Sequence, residues 1–323
     1  MSARLSRRAV ATAALGACCL PARPGRAEAW PIRPIRMLSP LPARTLPDIT
    51  MRLFAEGLTR RLGQPVVLDN RPGGEGVVAT MAFLNLQDDH RLFFSFAGPV
   101  TVNPLTIARL PYDPAALVPL SSAALDHVAV AGAPDLPVRD LAGLVAHARA
   151  RQGALAYVVA PGAIGLAFEA FLAAERLTLL HVGYRSPADA WQDLAAGRVQ
   201  VTATPLASAL PHAQAGRARL LALTGTTRAP AAPGVATTAE QGFPRYAFQG
   251  FVGVFGPPDM AESRRRLVSE AVRAVAGEPE TIRRLGLGGQ IAAGSTPEEF
   301  AAMIAAQRAE VAAFLAAAGG PPR

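Results

Sequence analysis

Two turns in the first quarter of the chain carry residues placed to hold a small anion. Pro40-Leu-Pro-Ala-Arg-Thr45 follows a strand-like run ending at Ser39 and leads into a helix at Leu46. Asn70-Arg-Pro-Gly-Gly-Glu-Gly76 follows Pro65-Val-Val-Leu-Asp69 and leads into another helix. In a parallel α/β sheet such turns bring helix N-termini to one crevice, with unpaired N–H groups and positive dipole ends facing it. Asp48 falls in the first turn of the first helix, where the dipole favours a carboxylate with or without a ligand, so both readings of it stand. Other chemistry is sparse. His90, His127, His147, His181 and His212 show no metal-ligand spacing, and both cysteines, Cys18 and Cys19, fall in the first 29 residues. There is no Gly-x-Ser-x-Gly elbow, no Gly-x-Gly-x-x-Gly fingerprint, no His-Glu-x-x-His and no lysine for a Walker motif. No turn sets a base against a nucleophile, so the expectation is a binding protein without catalytic residue, metal or cofactor.

The elements that must position those turns follow from periodicity. Met51, Phe54, Ala55, Leu58 and Leu62 recur on one stripe of a helix over 46–62, and Gly63 sits where a left-handed terminator belongs. A strand over 91–96 exits through the turn 97–104, and an irregular, proline-dotted stretch to Pro119 leads to the apolar run 127–131. From about Arg139 the alternation restarts. Helices are expected over 141–149, 166–175, 187–196 and 206–215, strands over 155–159, 178–184, 199–204 and 219–224, and a turn at 160–165. The pattern predicts an α/β fold of two lobes, each a doubly wound, mostly parallel sheet flanked by helices. The apolar run 246–255 would return the chain to the first lobe, making two hinge crossings, near Val128–Ala131 and Phe248–Val252. The expected division is 1–29 as a signal peptide, 30–130 with 250–323 as one lobe, and 131–249 as the other. The last helix starts at a capping box, Thr296-Pro-Glu-Glu299, and its stripe of Phe300, Met303, Ile304, Val311, Phe314 and Leu315 reads as packing alone.

Composition narrows the class. The 323 residues are 50% hydrophobic, enough for two cores, and no uninterrupted apolar run reaches the roughly 18 residues of a membrane span. Basic residues outnumber acidic ones by 32 to 24, but five arginines lie in the first 29 residues, and beyond them the balance is 27 to 23. That surplus is scattered, without a basic stripe interleaved with aromatics, which argues against nucleic acid as a partner. Arg4, Arg7 and Arg8, the apolar stretch 9–20 and Ala27-Glu-Ala29 have the anatomy of a cleaved export signal. Leu15-Gly-Ala-Cys18 offers a lipoprotein site as the less favoured alternative, and Arg7-Arg8 leaves twin-arginine export open.

Several stretches, each weak alone, are specific in their order and spacing: Trp30-Pro-Ile-Arg-Pro-Ile-Arg36, Leu62-Gly-Gln-Pro-Val-Val67, Asn70-Arg-Pro-Gly73, Asn103-Pro104, Leu110-Pro-Tyr-Asp-Pro114, His181-Val-Gly-Tyr184, Asp193-Leu-Ala-Ala-Gly197, Leu210-Pro-His212 and Thr296-Pro-Glu-Glu-Phe300. With them the chain resembles the Bug-type extracytoplasmic solute receptors of tripartite tricarboxylate transporters over nearly its whole mature length. The resemblance implies a type II periplasmic-binding fold whose two lobes close over a small carboxylate. It also implies integral membrane transporter subunits as partners; the export signal implies a periplasmic location, and a monomer is expected.

The binding turns of that family map here onto Leu41, Pro42, Ala43, Arg44, Thr45 and Asp48, then Gly98, Pro99 and Val100, then Gly162, Ala163 and Ile164, then Tyr184, Arg185, Ser186 and Thr204. These turns depart from the family pattern. Two glycines of the first turn have become Arg44 and Thr45, which restrict close backbone approach and positive φ, and the second-lobe turn has nearly lost its hydroxyls. In one reading, the Arg44 guanidinium supplies the carboxylate's partner in place of backbone donors, and Leu41, Val100, Ala163 and Ile164 favour a hydrophobic ligand body. In the other, Arg44 pairs with Asp48 or faces solvent. A diverged protein acting as a sensor or interaction partner without transport is the alternative function, with an α/β enzyme the least favoured one.

Overall fold

The computed structural model describes residues 30–43, 45–159, 162–184 and 186–317. The expectations resting on residues 1–29, Arg44 and Arg185 lie outside the described residues. The chain opens with β1 (Ile35–Ser39), α1 (Leu46–Leu62), β2 (Val66–Asn70), α2 (Val77–Asn85) and β3 (Arg91–Phe96). Two short helices, α3 (Gly98–Thr101) and α4 (Asn103–Thr106), precede β4 (Val118–Asp126). A second set follows: β5 (Val128–Gly132), α5 (Leu141–Ala150), β6 (Ala156–Val159), α6 (Ala163–Ala174), β7 (Leu180–His181), α7 (Pro187–Ala195), β8 (Val201–Pro205), α8 (Leu206–Gln214) and β9 (Arg219–Leu223). The chain then returns through β10 (Gly250–Gly256), α9 (Glu262–Ala276), α10 (Pro279–Leu287), β11 (Gln290–Ala292) and α11 (Pro297–Ala317).

These strands form two sheets, β11-β4-β10-β3-β1-β2 and β7-β6-β8-β5-β9. The parallel order expected from the strand–helix alternation is present in β2-β1-β3 and β7-β6-β8. The remaining ladders are antiparallel: β10 with β3 and β4, β11 with β4, and β5 with β8 and β9. Both sheets are therefore mixed. The reason is geometric, because β4, β5 and β10 are the strands that carry the chain between the sheets, and a strand arriving from the other lobe runs against its neighbours. β4 ends at Asp126 and β5 begins at Val128, so His127 alone separates the two sheets on the outward crossing.

The first sheet is packed on both faces. One core sets Ile35, Met37, Phe94, Val252 and Val254 against Met51, Phe54 and Leu58 of α1 and Val268, Val272 and Val275 of α9. The opposite face packs Phe93, Phe251 and Phe255 against Phe83 of α2 and Phe300 of α11. Full burial of each such side chain contributes about 1.5–3 kcal/mol. β4 reads poorly as a strand because its centre is Ser121-Ser122-Ala-Ala124, without alternation. Its hydroxyls are occupied inside the sheet, where the Ser122 Oγ donates to the Ala293 carbonyl and the Ser121 Oγ accepts from the Ser295 N–H. The second lobe has its own core around Phe168, Phe171, Tyr157, Tyr246 and Phe248.

The 21-residue, alanine-rich α11 is long and apolar enough to cross a membrane. Here it lies against both lobes. Phe300 packs beneath the first sheet, while Val311 and Leu315 meet Val102 from one lobe and Leu166 from the other.

Candidate functional site

Between the sheets lies a cleft of about 1200 Å³. Gly74, Glu75, Val77, Val102, Thr106 and Ile107 line it from the first lobe. The second lobe contributes the ends of β6 and β8 (Val158, Val159, Thr202, Thr204), the inner face of α6, and the stretch from His181 through Trp191. Most of this wall is apolar. Two helices open onto it without a side-chain cap: α2 behind Gly76, at φ 91°, and α6 behind Gly162, at φ 79°. At α2 the Val77 N–H is taken by the Gly74 carbonyl, whereas no side chain caps the start of α6, and the positive dipole end of each helix lies behind its start. Both glycines hold a backbone conformation that a side chain would strain.

The inner face of α6 is set by its sequence. Gly162, Gly165, Leu166 and Glu169 all line the cleft, a spacing that keeps them on one side of a helix, while Phe168, Phe171 and Leu172 point into the lobe's core. The Tyr157 hydroxyl donates to Glu169 Oε1 at 3.3 Å, and its ring stacks on His181 with centroids 5.0 Å apart. Burial, and then the Glu169 charge, push the Tyr157 hydroxyl up to about 12, so it remains a donor. Tyr184 donates to Asp193 Oδ2 at 2.6 Å, and Asp193 is also held by Arg198. Burial and the bond to Asp193 push the Tyr184 hydroxyl up to about 12. Trp191 lies flat on His212, with centroids 4.0 Å apart and planes 8° from parallel, and burial pulls the pKa of that imidazole down.

Of the residues expected from the binding turns, Gly162, Tyr184 and Thr204 line the cleft. Ala163 and Ile164, just inside α6, pack against apolar clusters instead. The Ser186 Oγ caps α7, accepting from the Ala188 N–H at 3.2 Å. On the first lobe Leu41 is buried in the core, whereas Pro42 and Ala43 are exposed and the Thr45 hydroxyl donates to the Pro42 carbonyl at 2.8 Å. Asp48 is wholly buried and accepts from Arg52 Nε and Asn70 Nδ2, each at 2.9 Å. Gly98 is pressed against the Phe96 ring, Pro99 is buried, and Val100 sits in an apolar cluster with its carbonyl taken by Arg308. Glu75, Thr106, Glu169, His181, Trp191 and Ser208 line the cleft without having been singled out as site residues. For Glu169 the signal was available, since it stands seven residues after Gly162 on the same helical face.

Among the described residues, one group has metal-ligand spacing, Asp88, Asp89 and His90. Its carboxylates are instead engaged by Arg33 and Arg264.

Comparison with known proteins agrees with this architecture. Residues 50–318 match the family described as the tripartite tricarboxylate transporter family receptor. A UPF0065 protein of Pseudomonas sp. strain P51, from the tcbD-tcbE intergenic region, is 33% identical over 302 residues, covering 91% of this chain and 89% of its own. A UPF0065 protein of Bordetella bronchiseptica is 30% identical over 291 residues, covering 88% of this chain and 85% of its own. The structure of Rpa4515 of R. palustris with adipate superposes with a TM-score of 0.81 at 28% identity, covering 91% of this chain and 100% of that one.

Proposed function

Because the chain belongs to the tripartite tricarboxylate transporter receptor family, we propose that the cleft between its sheets grips a small carboxylate with an apolar body and presents it to integral membrane transporter subunits. The protein is a solute receptor and not an enzyme. Its place of work is the periplasm, reached by cleavage of the first 29 residues as an export signal.

The observation that carries the reading is the cleft itself: largely apolar walls, with the uncapped starts of α2 and α6 entering from different lobes. An apolar wall accepts a carbon chain, and helix N-termini accept a carboxylate at its end. The adipate held by Rpa4515, a flexible chain with charged ends, has that chemistry. A ligand touching both lobes stabilises the closed arrangement by its differential affinity, and the transporter would read that arrangement. Gly162 and Thr204 are the expected residues we retain at the site, and Tyr184 contributes ring area, its hydroxyl being engaged by Asp193.

The test is a melting-temperature panel of four- to six-carbon carboxylates, with mass spectrometry of small molecules released from the unheated protein. A receptor is stabilised by a solute that it leaves unaltered. Absence of any stabilising carboxylate, or chemical conversion of the one bound, would overturn the reading.

A further inference from the structure

The charged side chains that line the cleft, among the described residues, are both acidic: Glu75 from the first lobe and Glu169 from the second. Neither has an ion pair among the described residues. Glu169 receives one hydrogen bond, from the neutral Tyr157 hydroxyl, and Glu75 is bonded through its backbone carbonyl, which accepts from Asn103 Nδ2. Elsewhere among the described residues Asp69, Asp88, Asp193, Glu240, Glu278 and Glu280 are paired with arginines. Two carboxylates facing a mostly apolar cleft repel a purely anionic guest and attract a positive centre.

We infer that Glu169 is a specificity-determining residue and that the ligand is amphoteric, with a carboxylate at one end and an ammonium group at the other. This rests on the receptor reading above. The geometry of α6 supplies the spacing. Gly162 and Glu169 lie on the same face, and from Ala163 at the uncapped start to Glu169 the axis rises about 9 Å, the reach of a five- or six-carbon chain. A carboxylate seated at the helix start therefore places a terminal ammonium beside Glu169. Aromatic faces reinforce the choice, since Tyr184 and Trp191 line the same wall and a cation is attracted to an aromatic ring face. Leu166 and Val102 enclose the carbon chain between the two ends.

The experiment is calorimetry with chain-length-matched pairs, adipate against 6-aminohexanoate and glutarate against 5-aminopentanoate, on the full-length protein and on Glu169→Gln. The ω-amino member should bind at least about tenfold more tightly than its dicarboxylate partner, the lower bound for a charge-assisted hydrogen bond. Glu169→Gln, which keeps shape and the bond from Tyr157, should abolish that preference at an unchanged melting temperature, and Glu75→Gln should weaken it. Equal or tighter binding of the dicarboxylates, or an undiminished preference in Glu169→Gln, overturns the inference. So does binding of neither pair while another carboxylate stabilises the protein, an outcome that leaves the receptor reading intact. If no carboxylate stabilises it at all, both fail.

Discussion

Asp48 has its carboxylate fully buried at the start of α1, held by Arg52 four residues on and by Asn70 from the neighbouring strand end. Asn70 also donates to the Leu41 carbonyl, so this cluster locks the first turn to β2. Removing one partner of a buried, hydrogen-bonded charge leaves the others unsatisfied, and Asp48→Ala should cost about 2–4 kcal/mol in urea unfolding. Ligand affinity lost at full stability would instead mark it as a contact residue. The first-turn position was legible in the sequence, and it left both readings open. The structure adds Asn70, 22 residues away, which only the parallel register of β1 and β2 brings near. A second residue was less legible. His127 is buried at the crossing between sheets with both ring nitrogens unpartnered, and burial holds its pKa below the ordinary 6.5. Below 6.5 the unfolded chain takes up a proton that the native imidazole resists. Stability present above 6.5 is thus lost as pH falls from there through the lower folded value. His127→Leu should flatten the fall in unfolding free energy between about pH 7 and 5, and an unchanged slope would show that other groups cause it.

At the scale of elements, the strongest local signals match the structure. β1 and α1 occupy the expected residues, and Gly63 ends α1 at φ 73° with its N–H on the Thr59 carbonyl. The capping box is reciprocal: the Thr296 N–H donates to Glu299 Oε2 at 2.8 Å and the Glu299 N–H to the Thr296 Oγ1 at 3.2 Å. Thr296→Ala should therefore cost about 1 kcal/mol, measured by denaturation, and fray the start of α11. β4 and β11 were missed because packing, not pattern, makes them strands. The same packing explains Gly253 in β10, where an added Cβ would stand 2.3 Å from the Phe300 ring and 3.0 Å from the Ser121 carbonyl oxygen. Gly253→Ala should destabilise by about 1–3 kcal/mol, and a neutral effect would mean that α11 can shift away. The cleft's lining was only partly legible for a related reason. The family pattern points to the binding turns, yet on the first lobe Leu41 and Val100 are drawn into apolar packing and Pro99 is buried. The lining falls instead to Glu75, Val102 and Thr106, residues whose types announce nothing by themselves.

For the whole molecule, the repeated strand–helix alternation and the apolar return near Phe251 made two lobes legible, because each lobe needs its own core and the chain must come back. The antiparallel halves of the sheets were not, since strand direction depends on how the lobes are joined. Joined by two crossings and bridged by α11, the lobes can approach over a guest that both touch. Saturating ligand should therefore reduce the radius of gyration in solution scattering, and no change would count against closure. The central claim is that solute is held in the cleft between the sheets. Calorimetry of Ala190→Trp beside the unaltered protein, with the carboxylate that most raises the melting temperature, tests it most directly. Ala190 lines the cleft from α7, outside either core, so an indole there fills the binding space and spares the fold. The account predicts at least about hundredfold weaker binding, the loss of two well-made contacts, at an unchanged melting temperature. Undiminished affinity in the plugged protein would contradict it and place the solute elsewhere.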